Sequence, residues 1–172
     1  VQGITPGDPT DEKTFVGPVS TVGARDEIME QVQDAVATGA TVLAGGGKPD
    51  KPGAWIEPTL LADVTPEMRA YAEEIFGPVA VVYKVKDVDE AVELANSSPF
   101  GLGGSVFGAD EDAATEIAQR VDSGMVFVNS PATTAPDLPF GGVKRSGVGR
   151  ELGPFGIEEF ANKKLIHTAK KK

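Results

Sequence analysis

The sequence has 172 residues, of which 40% are hydrophobic and 24% charged, and its net charge is −10. This composition supports a buried core and excludes a disordered or fibrous chain. The acidic balance argues against a nucleic-acid partner, because phosphate binding requires a cationic face. The sequence contains no cysteine, which excludes disulfides and thiolate zinc sites and fits a reducing compartment. We therefore expect a cytoplasmic protein.

The charge is unevenly distributed along the chain. From Lys144 onward there are 8 basic and 3 acidic residues (+5), against 8 basic and 23 acidic residues before it (−15). The closing run 170–172 is more simply a solvated terminus than an anion-binding tail. The apolar runs are far too short to span a membrane, and no secretory leader is visible. Because the first residue is Val1 rather than methionine, we expect an upstream portion.

The first predicted elements lie before residue 64. Apolar residues at every fourth position predict a helix over 24–38, which Gly39 ends. A short strand is predicted over 41–44. A second strand is predicted over 55–63, where Pro58 favours an edge position.

The predicted elements continue to alternate along the rest of the chain. Thr65 and Pro66 predict a helix start, as N-cap and first helical residue. β-branched residues predict a buried strand over 79–85. The remaining predictions are helices at 87–96, 110–121 and 153–162, and strands at 101–107, 124–129 and 164–168. This alternation is typical of an α/β fold with a mostly parallel sheet and flanking helices, and we expect a single domain over 1–172.

Several kinds of site can be excluded. Gly147 and Gly149 would need a third glycine for a dinucleotide fingerprint, but Leu152 stands there. His167 is the only histidine, so neither a histidine-based metal site nor a plausible Ser-His-Asp triad can be built. The acids 110–112 lack the glycine and glutamate of a calcium loop and are better explained as helix N-terminal acids. We predict no metal site.

The first informative segment is Glu73-Glu74-Ile75-Phe76-Gly77-Pro78-Val79. Two carboxylates precede an aromatic residue and a Gly-Pro pair that leads into the predicted strand. From the residues alone, the alternative to a functional role is a helix end followed by a turn, with Phe76 in the core.

The second segment runs from Pro139 to Glu151 and contains four glycines in the nine residues 141–149. Glycines let a backbone bend tightly and approach another chain or a ligand closely. Phe140 at the start of the loop would provide an aromatic pocket wall. The alternative is a structural loop that packs against a neighbouring element.

Together, about 60 residues apart, these segments resemble the aldehyde dehydrogenase superfamily. The family carries an E-E-x-F-G-P segment and, downstream, a P-F-G-G-x-K-x-S-G-x-G-R-E segment, and both occur here without a departure. Further matches extend from about residue 5 to 168, at Asp8-Pro9, Gly17-Pro18, Trp55–Leu60, Asn96, Pro99–Leu102 and Gly124–Asn129.

The resemblance implies covalent catalysis, in which a cysteine thiolate attacks the aldehyde, hydride passes to NAD or NADP, and water cleaves the thioester. The family's cysteine, general-base glutamate, oxyanion-hole asparagine and nucleotide-binding domain would all lie upstream of Val1. We therefore expect no catalytic residue in this chain, which resembles the C-terminal part of the catalytic domain and should be inactive by itself.

The resemblance also assigns binding residues. It implies that Glu74 hydrogen-bonds the hydroxyls of the nicotinamide ribose, a task for which a carboxylate has the required acceptors. It implies that Phe76 lies beside the nicotinamide and that Phe140 is a wall of the aldehyde tunnel. We expect the two segments to form walls of one cleft.

The loop 130–138 and residues 153–165 look most like bacterial succinate-semialdehyde dehydrogenases. In that group a loop hydroxyl helps to bind the substrate carboxylate, and Thr134 is the closest match, although a surface-loop threonine is the alternative. Residues 164–168 resemble the start of an oligomerisation strand, which implies a homodimer or homotetramer. Two alternatives stay open, a cysteine-free binding or assembly module of the same fold and an unrelated α/β binding domain.

Overall fold

The computed structural model of the chain describes residues 1 and 3–170, in which two units can be distinguished, Val1–Lys84 and Val85–Lys172. Helices and strands occur in both units, so the predicted α/β class is confirmed. The single domain over 1–172 stays a prediction. Of the predicted solvated terminus, only Lys170 lies within the described residues, where it is exposed.

The first unit begins its regular structure with helix α1, Val22–Thr38. The Thr21 hydroxyl accepts a hydrogen bond from the Ala24 N–H at 3.0 Å and so caps the helix. Gly39 ends it with φ at 117°, in the left-handed region where a side chain would be strained. The buried face of α1 consists of Ile28, Gln31, Val32 and Ala35. Gln31 is therefore a polar residue on an otherwise apolar face.

Strands β1 (Thr41–Ala44), β2 (Thr59–Ala62) and β3 (Val79–Val82) form a sheet in the order β1-β2-β3. β2 is antiparallel to β1 and parallel to β3. The prediction that Pro58 marks an edge strand is wrong, because β2 is central. Pro58 precedes the first paired residue of β2, so its missing N–H lies outside the ladder.

Two further predictions in this unit need correction. Helix α2 is Arg69–Ala72, because the Thr65 carbonyl accepts from the Met68 N–H at 3.0 Å and forms a turn before the helix. The strand predicted as buried over 79–85 is shorter, and its residues alternate between half-buried and exposed. The core beneath the sheet is formed by Val32, Ala35, Ala40, Leu61, Val64, Met68 and Ala70.

The second unit contains helices α3 (Val88–Ser97) and α4 (Glu111–Gln119), as predicted to within a few residues. The Asp87 carboxylate accepts from the Glu90 N–H at 2.9 Å, and the Asp110 carboxylate from the Ala113 N–H at 3.1 Å. Each aspartate satisfies an N–H that has no partner within its helix. The acidic run at 110–112 is thus a helix start.

Four strands accompany these helices, and the predicted strand over 101–107 is divided in two. β4 (Phe100–Gly101) pairs antiparallel with β7 (Val143–Lys144). β5 (Gly103–Val106) pairs parallel with β6 (Met125–Val128). The β2–β3 and β5–β6 ladders are the longest in the described part of the chain, with four residue pairs each, so parallel pairing predominates.

The end of the described chain departs from prediction. Helix α5, Gly153–Glu159, is present, but residues 164–168 form no strand. Leu165 and Ile166 are 89% and 78% exposed, and within the described residues no strand pairs with this segment. A β-strand is defined by its hydrogen bonds to a neighbouring strand. The strand propensity of residues 164–168 was therefore not enough to form one here. No helix within residues 1 and 3–170 has the length and hydropathy needed to cross a bilayer.

Candidate functional site

The carboxylate–aromatic segment forms a turn between α2 and β3, and Glu73 fixes its first end. The Gln31 amide donates to Oε2 of Glu73 at 3.0 Å. The Arg69 Nε donates to both carboxylate oxygens, at 3.1 and 3.0 Å, and its Nη2 lies 2.9 Å from Oε2. Glu73 is thus held by α1 and α2 together.

The same contacts perturb two pKa values. The hydrogen bond from Arg69, followed by that from Gln31, holds the pKa of the Glu73 carboxyl below its ordinary value. The hydrogen bond to Glu73 raises the pKa of Arg69 in turn. Both groups are therefore charged at neutral pH, which suits an anchoring pair.

Gly77 fixes the other end of the turn. A Cβ at this position would lie 2.7 Å from Cδ1 of Ile28, so α1 packs directly against the backbone here. The Gly77 N–H donates to the Ile75 carbonyl at 2.8 Å, and the Ile75 side chain packs against the core. The Pro78 carbonyl then accepts from the Thr59 N–H at 2.8 Å, which leads the chain into the sheet.

Between these anchors, Glu74 and Phe76 are displayed to solvent. Phe76 is 77% exposed, so the expected turn is present but the alternative that places Phe76 in the core is wrong. Within the described part of the chain, the Glu74 carboxylate is exposed and makes no hydrogen bond or ion pair. A free carboxylate and a free ring two residues apart can accept hydroxyl donors and contact a planar group.

The glycine-rich segment 139–151 forms a closed loop. Phe140 and Glu151 exchange backbone hydrogen bonds of 2.8 and 2.7 Å. Within the loop, β7 pairs with β4, and the Ser146 hydroxyl accepts from the Gly101 N–H at 3.0 Å. The loop therefore packs against a neighbouring element, as its structural interpretation predicts.

Two cationic side chains of this loop donate hydrogen bonds to backbone carbonyls. The Lys144 amino group donates to the Asn96 and Ser98 carbonyls at 2.9 and 3.3 Å, at the C-terminal end of α3, where positive charge is favourable. The Arg150 guanidinium donates to the Gly142 and Gly149 carbonyls at 2.9 and 2.7 Å. Both hold the loop in place.

Phe140 is half-buried and lines an open hollow of ≈ 280 Å³ together with Leu102, residues 141–142 and 146–151, Glu159 and Phe160. Thr134 lies outside this lining, exposed in a segment without regular structure. The roles of Phe140 and Thr134 as substrate contacts stay predictions. Glu74 and Phe76 belong to the first unit, and the shared cleft stays a prediction.

Sequence reasoning missed Gln31. The signal was available, since residues 28, 31, 32 and 35 follow the i, i+3, i+4, i+7 spacing of a buried helix face. An amide at one of these positions requires a polar partner. Among the described residues, no group of three or more His, Cys, Asp or Glu side chains could hold a metal ion.

The chain is similar to known proteins in both sequence and fold. Residues 1–166 match the aldehyde dehydrogenase family. A succinate-semialdehyde dehydrogenase [NADP(+)] from Deinococcus radiodurans is 58% identical over 165 residues, which cover 96% of this chain and 35% of that protein. The chain thus spans about a third of the length of such relatives.

Solved structures are similar in the same range. A succinic semialdehyde dehydrogenase from Streptococcus pyogenes in complex with NADP+ matches with a TM-score of 0.90 and 41% identity, over 95% of this chain and 36% of that one. A betaine aldehyde dehydrogenase from Staphylococcus aureus in complex with NAD+ matches with a TM-score of 0.87 and 38% identity, over 92% and 32%.

Proposed function

Because this chain belongs to the aldehyde dehydrogenase family, we propose that it is the C-terminal part of the catalytic domain of an NADP- or NAD-dependent succinate-semialdehyde dehydrogenase. The observation that carries this proposal is the turn at 73–78, which leaves Glu74 and Phe76 exposed between two anchored ends. The names of the relatives support the substrate and the cofactors.

The exposed pair fits a nicotinamide cofactor. When bound, this cofactor accepts a hydride from the aldehyde carbon. Glu74 is suited to accept hydrogen bonds from two ribose hydroxyls, because its carboxylate has no competing partner in the described chain. Phe76 is suited to limit the positions of the nicotinamide ring through an apolar contact. Both residues orient the cofactor, and neither reacts.

The substrate contacts are proposed in the second unit. The Thr134 hydroxyl is free to donate to the distal carboxylate of succinate semialdehyde, since it is exposed and hydroxyl–carboxylate hydrogen bonds are charge-assisted. Phe140, which lines the hollow described above, would give the aldehyde an apolar wall.

The nucleophile has to come from outside the given sequence, which contains no cysteine. The 172 residues by themselves are therefore expected to be inactive. The same lack of cysteine favours one alternative, a non-catalytic binding or assembly module of this fold. A nucleotide-binding domain with a cysteine in the upstream reading frame would support the enzyme and exclude the module.

We further propose a homodimer or homotetramer in the cytoplasm. The segment 164–168 supports the oligomer, because Leu165 and Ile166 are exposed and no strand within residues 1 and 3–170 pairs with them. The given residues can form no disulfide, which fits a reducing compartment.

The experiment that tests the function is Glu74→Ala in the full-length gene product that contains this chain. Loss of the ribose contact should weaken cofactor binding by about ten-fold and slow hydride transfer. Glu27→Ala, at an exposed glutamate of α1, is the matched control and should leave both unchanged. Unchanged cofactor affinity and rate in Glu74→Ala would refute the proposed role.

A further inference from the structure

We propose that Gln31 is a positioning residue, which acts through Glu73 to hold the turn that presents Glu74 and Phe76 to the cofactor. This inference rests on the proposed function and assigns a role to a helix residue that touches neither substrate nor cofactor.

The first argument is the placement of the Gln31 amide. The residue is only 4% exposed, and its Nε2 donates to Glu73 at 3.0 Å. A buried amide without a partner is costly, so the geometry that satisfies this donor is strongly preferred. Glu73 is the residue directly before Glu74, so fixing its side chain also restricts the backbone from which Glu74 projects.

The second argument is that one helix holds both ends of the turn. Gln31 contacts Glu73, and Ile28 packs against Gly77. Residues three apart lie on the same face of a helix, about 4.5 Å apart along its axis. α1 therefore acts as a single rigid support for the five residues from Glu73 to Gly77.

The third argument concerns the residues of the turn that are not used for anchoring or packing. Glu73, Ile75 and Gly77 are used for anchoring and packing. The residues between them, Glu74 and Phe76, remain exposed. Groups held by a packed supporting shell keep the geometry that a reaction needs, and small displacements of such groups slow reactions strongly. Loss of the Gln31 donor should therefore appear in cofactor binding and hydride transfer.

The test uses Gln31→Met, Glu73→Ala and the double variant in the full-length gene product that contains this chain. Methionine keeps the length of glutamine and removes its donor. Gln33→Met is the matched control, since Gln33 is exposed on the same helix. The measurements are the cofactor dissociation constant by calorimetric titration, the KM for the aldehyde, and the primary isotope effect with aldehyde deuterated at the carbonyl carbon.

Each single variant should weaken cofactor binding by about ten-fold, increase the isotope effect, and leave the aldehyde KM unchanged. Glu73→Ala also removes the Arg69 contacts, so its loss should be at least that of Gln31→Met. The double variant should be no weaker than Glu73→Ala, because the Gln31 contact is already lost in that single variant. The Gln33→Met control should behave like the unmodified protein. If Gln31→Met does not fold, Glu73→Ala is compared with Arg69→Ala, since the two side chains are 45% and 41% exposed and should tolerate truncation. Both variants remove the Arg69 contact, so a larger loss in Glu73→Ala belongs to Gln31, and equal losses would overturn the inference.

Unchanged cofactor affinity in Glu73→Ala or in folded Gln31→Met would overturn the inference, as would fully additive losses in the double variant. Glu74→Ala separates this outcome from failure of the proposed function. If Glu74→Ala weakens cofactor binding and the positioning variants do not, only the role of Gln31 fails. If Glu74→Ala also has no effect, the proposed function itself fails.

Discussion

Gly124 lies so close to Gly141 that a Cβ on Gly124 would be 1.8 Å from the Gly141 carbonyl oxygen. Gly124 directly precedes β6, and Gly141 directly follows Phe140. The contact joins backbone to backbone, so no side-chain rotation can relieve it. The absence of a side chain at Gly124 therefore lets the backbone that follows Phe140 lie directly against the start of β6.

Gly124→Ala should destabilise the fold by roughly 2–3 kcal/mol, because the added methyl group forces the two backbones apart. Gly104→Ala in β5 is the control, since the nearest atom to its Cβ would be at 3.8 Å, and it should be neutral or slightly stabilising. Urea unfolding of both variants measures the difference. Equal stability of the two variants would contradict the close packing of Gly124.

The Glu73 carboxyl gives a prediction for pH. Its pKa lies below the ordinary value of 4.5, so the ionised form stabilises the folded state. This stabilisation is complete above the pKa of the unfolded chain and is lost as the pH falls through the lower pKa of the folded state. Gln31→Met removes one of the two residues that donate hydrogen bonds to this carboxylate, so the pKa of Glu73 should rise toward its ordinary value.

Carboxyl carbon NMR titration of the chain measures this change. Because the Arg69 hydrogen bond remains, the Glu73 pKa should stay below its ordinary value even in Gln31→Met. Glu158 provides an internal control, since Lys163 holds its pKa low and that contact is unaffected. A Glu73 pKa that is the same with and without Gln31 would show that the amide contact is absent in solution.

Thr134→Ala tests the proposed recognition of the substrate carboxylate. In the full-length protein it should raise the KM for succinate semialdehyde by roughly three- to ten-fold, the loss expected for one hydrogen bond. The KM for an aldehyde of the same length without the carboxylate should not change. Thr133→Ala, at the neighbouring exposed residue, is the control, and identical effects at both positions would assign Thr134 to the surface alone.

The elements that the sequence predicted best are those with local signals. Thr21 and Gly39 bound α1, and Asp87 and Asp110 cap α3 and α4, because capping depends on residues within one helical turn of each other. The strand predictions failed where the pairing partner is distant along the chain or is not among the described residues. Pro58 precedes a central strand, and residues 164–168 form none, since pairing depends on which strands meet in space.

The candidate site shows the same difference between local signals and contacts of distant segments. The motifs at 73–79 and 139–151 carry the resemblance from which the binding residues are proposed, because the order of residues is a property of the chain itself. Tertiary structure alone revealed that Gln31, 42 residues before Glu73, supports the first motif. It also showed that Lys144 and Arg150 bind backbone carbonyls. Order along the chain determines capping and motif spacing, whereas burial and long-range hydrogen bonds exist only after distant segments have packed together.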